Sequence, residues 1–191
     1  MRRPYNQTHV VAGHVRPFFL RDHTYKVHPA SVLQISVSPG GVPKRPIPAG
    51  IVTSLGIAGD GHANPQVHGG PRQAILIITS EGIGELKEQG FPLYHGALGE
   101  NLTTQGLDRR AVRIGQRYRI GQVLLEITKL RSPCENLNPY GPGIHKAVYD
   151  QEVQAGNPAS PRWGLGGFYA SVLQAGTLHP GDPIHLLNDT A

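Results

Sequence analysis

One cysteine, one methionine and one tryptophan in 191 residues exclude several kinds of protein at once. A single cysteine permits no internal disulfide, no iron–sulfur cluster held by several cysteines of the chain and no tetrathiolate zinc site. It suits a reducing compartment, and the cytoplasm is the expected setting. No apolar run approaches the roughly 20 residues of a membrane-spanning helix, so no membrane segment is expected. Charged residues make up only 16% of the chain, and the formal charge of +5 is unevenly spread. Residues 1–30 hold Arg2, Arg3, Arg16, Arg21 and Lys26 against Asp22 alone, which leaves +1 for everything after them. With a nearly neutral body, no aromatic-rich basic stripe and no zinc-finger spacing, nucleic acid is not an expected partner. No dinucleotide fingerprint is present either, so electrons for any redox chemistry must come from another molecule.

What the chain has in quantity is glycine, 25 residues, and proline, 17. These punctuate many short elements joined by turns, which predicts a barrel or sandwich over a doubly wound sheet. The length suits one domain able to bury a core without disulfides. Residues 1–30 read as a basic extension carrying His9, His14, His23 and His28, four of the ten histidines. Its apolar patch Val10-Val11-Ala12 is broken by His14 and Arg16, so it does not read as a secretion signal. Residues 31–191 read as the single domain.

Alternation predicts strands at Val32–Val37 and Val123–Thr128, and the continuous run Ala74–Thr79 predicts a buried strand. Ser80 as cap, Glu81 in the first turn, and Ile83 with Leu86 on one face predict a helix ended by Gly90 and Pro92. Ile51-Val52 predicts a short strand. Val112, Ile114, Tyr118 and Ile120, broken by Gly115 and Gly121, predict short strands joined by turns. Ile144, Ala147, Val148 and Gln151 fit one helix ended by Gly156 and Pro158. Trp163–Tyr169 and Gly176–Leu187 read as closing strands.

The strand at Val123–Thr128 must stop by Pro133, which lacks a ladder donor, and this places Cys134 on the first loop residues beyond a rigid element. A lone cysteine can be a small buried hydrophobe or a reactive thiol. Arg131, three residues away, favours the thiolate, the form that ligates metals and attacks electrophiles. Lys44 and Arg45, on the stiff loop Ser38–Pro46, can hold an anion or remain solvated surface charge. His62, Gly69, Gly70 and Arg72 lie in a glycine-rich stretch that can approach a ligand closely or form an ordinary turn. His62 and His68 lack helical zinc-pair spacing. Glu100 and Asn101 can face a site or satisfy a turn.

Taken together, Gly59-Asp60 with His68-Gly69-Gly70, Gly99-Glu100-Asn101-Leu102, Ile114-Gly115, Arg131-Ser132-Pro133-Cys134 and Gly181-Asp182 occur in the order and rough spacing of a known family. The chain resembles the MOSC domain, named for the C-terminal domain of molybdenum cofactor sulfurase, and is most similar to its stand-alone bacterial members. The similarity runs from about Val32 to Leu187.

The resemblance implies a mainly β fold with a few helices, a MOSC-type β-barrel, carrying a molybdenum cofactor (Mo-molybdopterin) whose metal is ligated by Cys134. It further implies that Lys44, Arg72 and Arg131 neutralise the pterin's phosphate and that amides of Gly69 and Gly70 donate to it. Asn101 would hydrogen-bond pterin or substrate. His68 matches the motif histidine, with a catalytic or cofactor-binding role, and Ser132 stands beside Cys134 in its motif. The implied activity is reduction of N-hydroxylated small molecules such as hydroxylamino bases, a detoxification, with electrons from a partner flavoprotein or iron–sulfur protein. The proton donor stays open among Glu100, His68 and His145. Two other readings also stay open: Cys134 as a persulfide carrier for metallocofactor assembly, and a non-catalytic cofactor-binding module.

Overall fold

A computed structural model describes residues 29–62 and 69–187. In chain order it contains β1 (Ser31–Val37), β2 (Arg45–Ile47), β3 (Gly50–Thr53), β4 (Gly56–Ile57), β5 (Ile75–Thr79), α1 (Ser80–Glu88), β6 (Leu102–Gln105), β7 (Arg117–Ile120) and β8 (Val123–Leu130). Then follow α2 (Ile144–Val148), α3 (Gln151–Gln154), β9 (Phe168–Gln174), β10 (Gly176–Leu178) and β11 (Ile184–Leu187). Two 3₁₀ turns, Pro71–Gln73 and Glu135–Tyr140, flank the strands that matter most below.

An eight-stranded sheet runs in the order β11-β7-β8-β9-β5-β6-β1-β2, and a second sheet runs β10-β3-β4. Every pairing is antiparallel except β5 with β6, which are parallel and joined through α1, because a parallel pair needs a crossover connection. β5 explains its own apolar run: Ile75 and Ile77 enter one core, while Leu76 and Ile78 enter another. The first core fills the inside of the curled sheet with Val32, Ile35, Leu102, Leu125, Ile127 and Phe168. The second lies outside, where Ile83 and Leu86 of α1, Leu137 of the 3₁₀ turn and Ile144 of α2 cover the sheet.

The mainly β architecture with few helices is as expected, but the closed barrel is not found among the described residues. The curled sheet meets itself at a single bridge, Ser31 to Pro183. Beside it the N–H groups of Val32 and Ile184 donate to Asp182 and Ala30, at 2.9 and 2.7 Å. A third bond, from the Gly181 N–H to the Val32 carbonyl at 2.7 Å, completes the contact, so a few bonds around one bridge join the two ends of the sheet where a closed barrel would carry a full strand pairing.

Four local expectations need correction. The cap of α1 is Thr79, whose hydroxyl accepts from the Gly82 N–H at 3.1 Å; Ser80 is the first helical residue. The helix expected from Ile144 to Gln151 is two helices, because Tyr149 is extended (φ −154°, ψ 138°) and Asp150 caps α3 by accepting from the Val153 N–H at 2.8 Å. The expected strand Trp163–Tyr169 begins only at Phe168. Before it the chain turns, and the Trp163 indole N–H donates to the Val112 carbonyl at 2.9 Å. Ile114 lies in a turn and is exposed. No helix of the described residues is long and apolar enough to cross a membrane. The expectations for the basic extension lie outside the described residues, apart from Pro29 and Ala30.

Capping by Thr79 carries a direct test. Thr79→Ala should lower stability by about 1 kcal/mol, whereas Ser80→Ala should cost well under half of that, both read from urea midpoints.

Candidate functional site

Several segments separated in sequence converge on one pocket, lined by Gly41, Val42 and Lys44, by Gly61 and His62, by Gly69, Gln73 and Leu76, by Gly99 and Asn101, and by Arg131, Cys134, Asn136 and Tyr169. Cys134 stands where the sequence places it, beyond the end of β8 and Pro133. Its backbone is extended and opens the 3₁₀ turn Glu135–Tyr140, its carbonyl accepting from the Leu137 N–H at 3.0 Å. The thiol is half-buried. Arg131 points at it: Nη2 donates to Sγ at 3.8 Å. The Arg131 side chain is 5% exposed, and its Nη1 is buried with no hydrogen-bond partner among the described residues. An unpartnered buried donor is costly unless something else answers it.

The opposite wall is organised by a buried ion pair. Lys44 Nζ pairs with Asp60, and both side chains are nearly inaccessible. Asp60 also accepts the Ser38 N–H at 3.0 Å and the Asn101 amide at 2.8 Å, so its charge is answered on every side. Asn101 in turn accepts the Leu76 N–H at 3.1 Å, which ties the network to β5. Burial pulls the Lys44 ammonium below the ordinary amine value, with the Asp60 and Glu100 charges opposing. Glu100 lies fully buried beneath this wall and does not line the pocket. Its carboxylate accepts the N–H groups of Gly96 and Leu98 and the Thr103 hydroxyl, which folds the 96–100 turn. Burial raises its pKa, those hydrogen bonds opposing.

Two glycines are required by contact. Gly69 has φ +85°, and a Cβ there would sit 2.6 Å from the His62 ring. Gly99, also at φ +85°, would drive a Cβ to 2.5 Å from Val42. Any side chain at either place would fill the pocket wall.

Of the expected site residues, Lys44, Gly69, Asn101, Arg131 and Cys134 share this pocket. Gly70, Arg72 and Ser132 are exposed and do not line it; Arg72 turns outward while its carbonyl accepts the Thr128 hydroxyl. His68 lies outside the described residues. His145 sits on α2, away from the lining, with Nε2 buried and unpartnered among the described residues. Sequence reasoning did not single out Gln73, Asn136 or Tyr169. Tyr169 is found from register, since it lies opposite Leu76 in the β5–β9 pairing, but that register is invisible along the chain. Burial raises the Tyr169 phenol above its ordinary value, with the Arg131 charge pulling the other way. Among the described residues no group of three or more His, Cys, Asp or Glu side chains is placed to hold a metal ion.

The ion pair is testable through stability. Asp60→Ala strands a buried ammonium and should cost about 3–5 kcal/mol, while adding Lys44→Met should restore much of the loss, measured by urea unfolding. A second test uses pH. Between the ordinary Glu100 value of 4.5 and its raised folded value, the folded state keeps a proton that the unfolded chain has released. Stability should therefore fall as pH rises through that window, and Glu100→Gln should flatten the slope.

Comparison with known proteins agrees with the fold. The family model described as MOSC domain matches residues 64–185. The chain is 32% identical over 150 residues to the uncharacterized protein YflK of Bacillus subtilis, covering 78% of this chain and 63% of that protein. It is 31% identical over 140 residues to a protein named Reductase in Gibberella moniliformis, covering 71% of this chain but 23% of that protein. Among solved structures, YiiM from Geobacillus stearothermophilus superposes with a TM-score of 0.64 at 29% identity, covering 84% of this chain and 76% of that one. The chain thus spans less than two thirds of either of these two sequence relatives. The domain match, covering well over half of the residues, shows that this chain belongs to the MOSC domain family.

Proposed function

We propose that the pocket holds a molybdenum cofactor through Cys134 and that the protein reduces N-hydroxylated small molecules, such as hydroxylamino bases, with electrons from a partner flavoprotein or iron–sulfur protein. One observation carries this reading: the chain's only thiol faces a buried guanidinium that still has a donor to give. MOSC domains are associated with this cofactor as a family, and one relative bears the name Reductase.

The donor set fits. A single cysteine with no accompanying cluster of ligating side chains among the described residues suits a metal that arrives with most of its ligands already supplied by its pterin. Arg131 compensates the charge of a ligating thiolate and offers Nη1 to an oxygen of the bound group. Lys44 faces the pocket from the far wall, its charge held in place by Asp60, and suits the pterin's phosphate. Asn101, locked by Leu76 and Asp60, and the open backbone at Gly69 suit its polar edge.

When bound, the cofactor supplies a two-electron redox centre, so that the substrate's N–O bond breaks and its oxygen leaves as water at the expense of two electrons and two protons. The protein's residues orient the substrate and shield the reaction. Tyr169 holds its proton at neutral pH and offers a hydrogen bond from Oη at the wall beside Arg131. Gln73 and Asn136 present amides to the same space.

Protein made in a molybdate-fed host should contain near-stoichiometric molybdenum and release a fluorescent pterin on oxidation. Cys134→Ala should lose the metal while keeping the circular dichroism of the native fold. Metal retained in that variant would sink the assignment. Absence of both metal and pterin from the native protein would instead favour a persulfide carrier at Cys134.

A further inference from the structure

The rim on the Tyr169 side of the pocket carries charge that the site itself does not use. Arg72 is exposed at the 3₁₀ turn Pro71–Gln73, and the Thr128 hydroxyl holds that turn against β8 by donating to the Arg72 carbonyl at 2.5 Å. Lys129, the next residue on β8, is exposed as well, with Nζ 5.3 Å from the centroid of the Tyr169 ring. Tyr169 lines the pocket that contains Cys134. Lys129 is thus one aromatic ring away from the candidate redox centre.

Neither cation forms an ion pair among the described residues, although Lys44, Arg109, Arg117 and Arg162 all do. The rest of this rim, Gly70, Pro71 and Ser132, is exposed and uncharged, and Glu135 beside Cys134 is the carboxylate next to it. Isolated exposed cations contribute little to stability. What they do is shape the field at a surface, speeding and orienting encounter with a partner of opposite charge.

We propose that Arg72 and Lys129 form the landing face for an acidic one-electron carrier protein, in the charge class of flavodoxins, whose prosthetic group then approaches along the Tyr169 wall. This rests on the redox reading of the pocket. Two reduced carriers each give up one electron in turn; those two electrons, with two protons from solvent, convert one N–OH group to N–H and one water. A small uncharged or cationic reductant has no need of the face.

The experiment compares two donors on cofactor-loaded protein: a reduced acidic flavodoxin and dithionite-reduced methyl viologen, with a hydroxylamino base as substrate. Lys129→Glu should raise the KM for flavodoxin about tenfold while leaving the viologen-driven rate and the molybdenum content unchanged. In titration calorimetry, flavodoxin binding to the full chain should weaken steeply between about 20 and 300 mM salt, and adding Arg72→Glu to Lys129→Glu should weaken it further. An unchanged KM for flavodoxin would overturn the proposal. So would an equal loss with viologen, which would place Lys129 in substrate or cofactor binding. If no substrate turns over with viologen, the reductase reading fails separately, and calorimetry decides the face by itself: salt-sensitive binding lost in Lys129→Glu supports it, and absence of binding overturns it.

Discussion

A buried ammonium must be answered by a carboxylate, and the Lys44–Asp60 pair is where the loops of this protein are tied together. Lys44 arrives on the loop between β1 and β2, Asp60 from the glycine turn after β4, and Asn101 from the segment entering β6. The segment before Asn101 is anchored in the outer core by Ala97 and Leu98, and the pair ties the other two to it. The pair, with the Ser38 amide and the Asn101 carboxamide completing the shell around Asp60, holds them in register and leaves one face of the cation toward the pocket. Such an arrangement adds little net stability over a well-packed apolar substitute, yet it fixes position, which is what a binding wall needs.

The other wall rests on apolar packing. β8 enters the inner core with Val123, Leu125 and Ile127, and the strand exits at Leu130 so that Arg131 turns under the sheet and Cys134 emerges beside it. The Arg131 N–H is bonded to the Gly167 carbonyl at 2.9 Å, fixing the start of the loop against the turn before β9. A rigid strand end, a proline and a 3₁₀ turn therefore present one thiol without relying on a flexible loop.

Cation placement separates inside from outside. Lys44 and Arg131 are buried and face each other across the pocket, whereas Arg72 and Lys129 stay in solvent on its rim. Resemblance alone puts Arg72 with the first pair; the fold puts it with the second, because the 3₁₀ turn at Pro71 directs the side chain outward while its carbonyl is held by Thr128.

Much of this was legible along the chain because it depends on local periodicity. The alternation of β8, the unbroken run of β5, the helix after Thr79, the punctuation by glycine and the place of a lone cysteine just beyond Pro133 all follow from neighbours a few residues apart. The ordered motifs carried the family. Partnership was not legible. Lys44 and Asp60 are 16 residues apart, Tyr169 meets Leu76 across a strand pair, and the outer core recruits Leu137 from a 3₁₀ turn with little periodicity of its own. Closure is hidden for the same reason: whether a curled sheet seals depends on how far its two ends pair across the seam, and here they meet at one bridge, Ser31 to Pro183. Local pattern thus settles the longer strands β1, β5 and β8 and the thiol's place after β8; the short strands β2 and β6 and the charges that face the thiol come from long-range pairing, which the packing of both cores sets and no local pattern does.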